Sequence, residues 1–190
     1  MGLSNREYVG RALDTLAASL GPYISAHLST LAPGISWTKL LEHKDASAGK
    51  APKSYAATDL SVQLRVMTES LGSLGYPFNP GHDARSYTSE LRQMRNLWAH
   101  NEAFDNADTY RALDTAGRLA KCLKLDDAEQ TVSELLEEYK TRDKGAVGNG
   151  SEATAVGGEA EELHESPPSE LAENLSINTR SSWKLLRLTR

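Results

Sequence analysis

The chain carries a single cysteine, Cys122, among 190 residues. One thiol excludes an internal disulfide and any zinc site built on two or more thiolates. Cys122 stands among Leu119, Ala120 and Leu123, a setting that predicts a buried structural thiol. Apolar runs of the ~18 residues that a membrane span requires are missing too. The opening "MGLSNREYVG" lacks the basic start and apolar core of a signal peptide and fits the myristoylation pattern poorly. A soluble, cytoplasmic protein is therefore expected, with no membrane partner. There is no glycine-rich phosphate loop, no Gly-x-Ser-x-Gly elbow and no paired-carboxylate motif, which argues against an ATPase, a serine hydrolase or a two-metal nuclease. His27, His43, His82 and His164 show no ligand spacing with one another or with His100, so neither a metal nor a cofactor is expected.

Positive charge is short as well: 21 Lys and Arg face 26 Asp and Glu, for a net charge of -5. Residues 145–190 account for -3 of it (seven Glu against Arg180, Lys184, Arg187 and Arg190), leaving -2 for the rest. Between 85 and 124 basic residues outnumber acidic ones, a local bias suited to a phosphate ligand but far from the basic stripe of a dedicated DNA-binding domain. Residues 145–179 contain no aromatic residue, Lys or Arg and are rich in Gly, Ser, Ala, Pro and Glu. Such a segment cannot bury enough apolar surface to offset its ordering entropy, so it reads as a flexible acidic linker between a helical domain over 1–144 and a short basic, amphipathic tail over 180–190. That tail, "RSSWKLLRLTR", suits either a partner-binding helix or the start of a further module.

What the domain has in quantity is helical periodicity. Ser4 and Glu7 form a capping box for a first helix whose face is Val9, Ala12, Leu13, Leu16, Ala17 and Leu20, with Gly21-Pro22 as a kink or stop and a continuation through Ile24, Leu28 and Leu31. Residues 35–57 are mixed: Trp37, Leu40 and Leu41 form one apolar cluster, and "KDASAGKAPKSYAAT" reads as a loop. A long helix follows a Thr58 or Asp59 cap, with Leu60, Leu64, Met67, Leu71 and Leu74 on one stripe, and stops at "GYPFNPGHD". Helices are expected next over about 84–103, with a stripe of Tyr87, Leu91, Met94, Leu97 and Trp98, over 107–124, and from Asp126 or Asp127 onward. Four or five antiparallel helices make an all-α bundle. "RALDT" occurs twice, at Arg11–Thr15 and Arg111–Thr115, which shared amphipathicity explains.

The fourth of these segments, "LRQMRNLWAHNEAF", places polar groups where packing alone would use alanine or leucine. Asn96 and His100, four apart, share a helix face, so the amide can orient the imidazole, and the long stem of Arg95 reaches the same region. An imidazole that moves protons beside a guanidinium that holds phosphate oxygens suits RNA cleavage, because RNA brings its own 2′-hydroxyl nucleophile. Trp98 fits the core stripe better than a base-stacking role.

The run "RNLWAH" resembles the signature of the HEPN superfamily, an Arg and a polar residue followed by His. The wider "SELRQMRNLWAHNEAF" and "DTYRALDTAGRL", with "SNREYVGRALDTLA", resemble its Swt-type subfamily over residues 1–125. The resemblance implies a helical bundle that dimerises with two Arg/His motifs facing one cleft, and a metal-independent endoribonuclease that leaves 2′,3′-cyclic phosphate and 5′-hydroxyl ends. Carried over by position, Arg95 and His100 are catalytic and Asn96 orients them, with Asn101 and Glu102 in support; Arg92, by geometry alone, is a candidate RNA-phosphate contact. It also implies RNA and a second copy of the chain as partners, with an antitoxin or defence-system partner where the family serves toxin–antitoxin, anti-phage or RNA-processing roles. The alternative is a non-catalytic helical module that dimerises or senses for a larger defence protein.

Overall fold

The computed structural model describes residues 2–78 and 81–148, and side chains as far as Arg142. Among them there are six α-helices and no strand: α1 (Asn5–Leu31), α2 (Trp37–Ser47), α3 (Leu60–Thr68), α4 (His82–Ala99), α5 (Asn106–Cys122) and α6 (Asp126–Gly148), with a 3-10 turn at Gly72–Leu74. Of the linker expected over 145–179, residues 145–148 instead continue the last helix, and the rest, like the basic tail, lies outside the described residues. None of the described helices is long and apolar enough to cross a membrane.

The longest helix forms as its sequence dictates. Ser4 accepts from the Glu7 backbone while the Glu7 carboxylate reaches back to Ser4, completing the capping box. The face Val9, Leu13, Leu16, Leu20, Ile24 and Leu28 is buried throughout. Helix α1 passes through Pro22 without ending. One residue before the Ala18 carbonyl that Pro22 leaves without its helical donor, buried Gln63 donates to the Ala17 carbonyl at 3.0 Å and so ties α3 to α1 next to the proline. Packed around α1 are α3, α5 and α6, with α4 against α3 and α5. The short connections from α4 to α5 and from α5 to α6 make those neighbours antiparallel. In the two "RALDT" copies Ala12 and Leu13 are buried as are Ala112 and Leu113, one amphipathic register on two packed helices.

Four further expectations need correction. Residues 44–47, read as the start of a loop, belong to α2, whose Trp37, Thr38, Leu41 and Asp45 form one buried stripe. Helix α3 stops at Thr68, short of the expected run to 75, because Glu69 turns extended (φ -106°, ψ 152°) and directs its carboxylate to Arg65 and Lys44. Leu97 is exposed, at 43%, since it lies about 240° round the helix from Leu91. Cys122 is exposed for the same geometric reason, six residues and about 240° on from buried Ala116.

Candidate active site at the end of helix α4

Helix α4 buries Ala84, Thr88, Leu91 and Met94 and turns Ser89, Gln93, Asn96 and His100 to the outside. Arg92 and Arg95 lie on the flank that faces α3. The Arg92 guanidinium donates to the Thr68 hydroxyl at 2.9 Å and stands 3.8 Å from Glu69. Arg95 pairs with Asp59 at 3.3 Å, and Asp59 is at the same time the N-cap of α3, accepting from Ser61. Both arginines keep part of their surface in solvent, 39% and 30% of the side chain.

His100 is the first residue beyond the helix, its C-cap at φ -90°, ψ 11°. Its backbone N–H still bonds to the Asn96 carbonyl at 3.0 Å. The expected amide-to-imidazole hydrogen bond does not form. Asn96 and His100 are thus exposed neighbours with side chains free to meet a ligand, while Arg95 is tethered on the adjacent face, about 140° round from His100.

The turn after His100 is a Schellman closure. Asn101 adopts φ 60°, its N–H bonds to the Trp98 carbonyl at 3.3 Å, and the Glu102 N–H bonds to the Leu97 carbonyl at 3.0 Å. Asparagine is the non-glycine residue best suited to this left-handed position. So Asn101 shapes the chain that carries His100, and Glu102 is exposed beyond it with its backbone closing the motif.

Sequence spacing gave no hint of what holds this turn. The Arg6 guanidinium in the first turn of α1 donates to the Trp98 carbonyl at 2.5 Å and to Asn101 Oδ1 at 2.7 Å, and its carbon lies 5.0 Å from the Trp98 ring centre. In return the Trp98 indole N–H reaches the Arg6 carbonyl at 3.3 Å. Trp98 is half-buried against the core and lies over Gly10, so packing, not base stacking, accounts for it. One residue earlier, the Asn5 amide donates to the Phe104 carbonyl at 3.1 Å, and Arg142 from α6 binds Asn5 Oδ1 at 2.5 Å. Arg6, Gly10 and Asn5 were invisible to motif reading because a cap signal explains "SNRE" fully and nothing periodic links residue 6 to residue 98.

Next to this contact lies a cleft of about 280 Å³ lined by Arg6, Glu7, Gly10, Arg11, Asp14 and Trp98. Among the described residues no three His, Cys, Asp or Glu side chains converge as a metal-binding group would require.

No curated protein and no solved structure matches the chain. A family model does: the one described as Swt1-like HEPN matches residues 11–124, a span that runs from the first helix to the end of α5 and contains Arg95, Asn96 and His100. That match covers more than half of the sequence and takes in five of the six described helices, all but α6, and on it the chain belongs to the Swt1-like HEPN family.

Proposed function

We propose that the protein is a metal-independent endoribonuclease working as a homodimer in the cytoplasm, in defence, toxin–antitoxin or RNA-processing surroundings. The observation that carries this reading is the exposure of Asn96 and His100 at the end of α4, with Arg95 one step round, inside the family match. A group meant only to pack would be turned inward. A base takes the proton of a ribose 2′-hydroxyl, the 2′-oxygen attacks phosphorus, the bond to the 5′-oxygen breaks, and the departing oxygen takes a proton. The products are a 2′,3′-cyclic phosphate and a 5′-hydroxyl. His100 is the proton carrier, Arg95 stabilises the charge that builds on the phosphorane oxygens, Asn96 orients the imidazole or the substrate, and Arg92 contacts a neighbouring phosphate. In a dimer built on this end of α4, two histidines share one cleft, one to take a proton and one to give it. Exposed Leu97 beside them supplies apolar surface for that contact.

The second reading is a non-catalytic dimerising or sensing module. It is favoured by the engagement of both arginines with Asp59, Thr68 and Glu69. Wild type and His100→Ala, shown to fold alike, separate the two when incubated with end-labelled RNA in excess EDTA. The ribonuclease predicts cyclic-phosphate ends from wild type alone, with His100→Ala slower by about 10²–10⁴-fold. Equal cleavage by both would sink the role of His100, and no cleavage by either would turn the assignment toward the module.

A further inference from the structure

We infer that Arg6 is a positioning residue for His100, a role that rests on the ribonuclease reading and adds a residue lying before the family match begins at 11. His100 is the C-cap: the Asn96 carbonyl holds its N–H, but the ladder ends there and leaves the direction of its other end open. What fixes it is the turn, and the two residues gripped by Arg6 stand on either side of it: Trp98 through its carbonyl and Asn101 through its side-chain oxygen.

The grip is specific to an arginine in this place. The Trp98 carbonyl already accepts from the Asn101 N–H, and the same Arg6 nitrogen that reaches this carbonyl also reaches Asn101 Oδ1, so one donor ties the start of the turn to its end. Meanwhile the other terminal nitrogen of Arg6 is buried without a partner. Leaving such a donor unsatisfied is unfavourable and offsets part of what the two bonds and the ring contact contribute to stability. The arrangement makes sense where the direction of the turn matters more than the stability of the contact. Small errors in that direction are costly to chemistry, since a misplacement of about 1 Å can slow a reaction about 10²-fold.

The test uses the full 190-residue chain with Arg6→Gln, Arg6→Lys and Asn101→Gly. Glycine keeps the left-handed turn at 101 but removes the acceptor, which separates turn from grip. Two readouts are taken: kcat and KM on RNA, and the His100 ring resonances without RNA, assigned by their loss in His100→Ala. The expected result is a kcat lowered about 10–100-fold in Arg6→Gln and Asn101→Gly with KM unchanged. Lysine should recover a large part of it, because its ammonium can still donate to both oxygens. The His100 resonances should move in the two impaired variants, and the double variant should be no worse than either single one. Wild-type kcat and unmoved resonances in folded Arg6→Gln would overturn the inference. If wild type itself cuts no RNA, the ribonuclease reading fails separately, and the resonances then decide the positioning: movement supports it and none overturns it.

Discussion

The indole of Trp98 occupies the space that a side chain at position 10 would need: a Cβ built on Gly10 comes within 3.0 Å of Trp98 Nε1. Helix α1 therefore needs glycine there, although glycine in a helix interior is unfavourable by about 1 kcal/mol relative to alanine. The close approach lets α1 and α4 seat the tryptophan between them and brings Arg6 onto its ring.

Gly10→Ala sets helix propensity against that contact. Propensity offers about 1 kcal/mol, and overpacking a pinned side chain costs about 1–3 kcal/mol. Trp98 is pinned, by its N–H on the Arg6 carbonyl and by the guanidinium beside its ring. A net loss of about 1 kcal/mol is expected in urea unfolding. Gly117→Ala in α5 is the internal control, since its Cβ would meet Val132 at an ordinary 3.7 Å, and it should gain stability. Equal effects at the two positions would contradict the packing argument.

Asp45 joins α2 to α3 from a buried position, taking bonds from Arg65 at 2.7 and 2.8 Å, from the Tyr55 hydroxyl at 2.5 Å and from Lys50 at 2.9 Å. The Arg65 guanidinium above all, helped by Tyr55 and Lys50, holds its carboxyl well below the ordinary range despite burial. At Glu69 burial pushes the carboxyl up, but Arg65 and Lys44 outweigh it and leave it lowered too. A group whose folded pKa lies below its unfolded one contributes stability that is present in full above the unfolded value of about 4 and disappears as pH falls through the folded value. Asp45→Asn should thus cost about 3 kcal/mol at pH 7, the penalty for leaving the inner face of Arg65 without its carboxylate and with only Glu69 as a charged partner. The gap from wild type should shrink below about pH 4. A gap that stays constant from pH 7 to pH 3 would show that the charge on Asp45 is not what the fold uses.

That same network explains what the sequence hid. The capping box, the buried stripe of α1, the caps Asp59 and Asp105 and the α5 register were readable because apolar spacing and local cap chemistry specify them. Helix α2 was not, since its inner face includes Thr38 and Asp45 and the partner of Asp45 lies twenty residues later. A hydrophobic pattern cannot register a buried charge whose counterion arrives from another element. At the candidate site the motif named Arg95, Asn96 and His100, and its local chemistry made Asn101 a turn residue only once the backbone angle was seen. Arg6 depends on a contact 95 residues apart, which no spacing rule encodes.

Leu97→Glu probes the proposed dimer. Leu97 is exposed beside Asn96 and His100, and a carboxylate there would have to be desolvated at the centre of the contact. Light scattering should find wild type at about twice the 20.7 kDa chain mass and the variant at the chain mass, with RNA cleavage lost in the variant and its melting temperature kept. A wild type that stays monomeric at about 100 µM would remove the shared-cleft arrangement, because stable specific interfaces hold at far lower concentrations.

Lys124 repeats at the end of α5 the closure seen at Asn101, but with a residue poorly suited to it. Its φ is 56°, its N–H bonds to the Lys121 carbonyl at 3.1 Å, and the Leu125 N–H bonds to the Ala120 carbonyl at 2.9 Å, the same double bond pattern that closes α4. Lysine pays about 1 kcal/mol for the left-handed conformation, and glycine adopts it freely. Lys124→Gly should therefore raise stability by about 1 kcal/mol, or the melting temperature by about 3 °C. Asn101→Gly should not, since asparagine tolerates the conformation better and its side chain is bound to Arg6. The pair of melting curves thus separates a left-handed turn that serves only to end a helix from one whose side chain also holds a neighbour, and stabilisation by both substitutions would show that the Arg6 bond adds nothing to the fold.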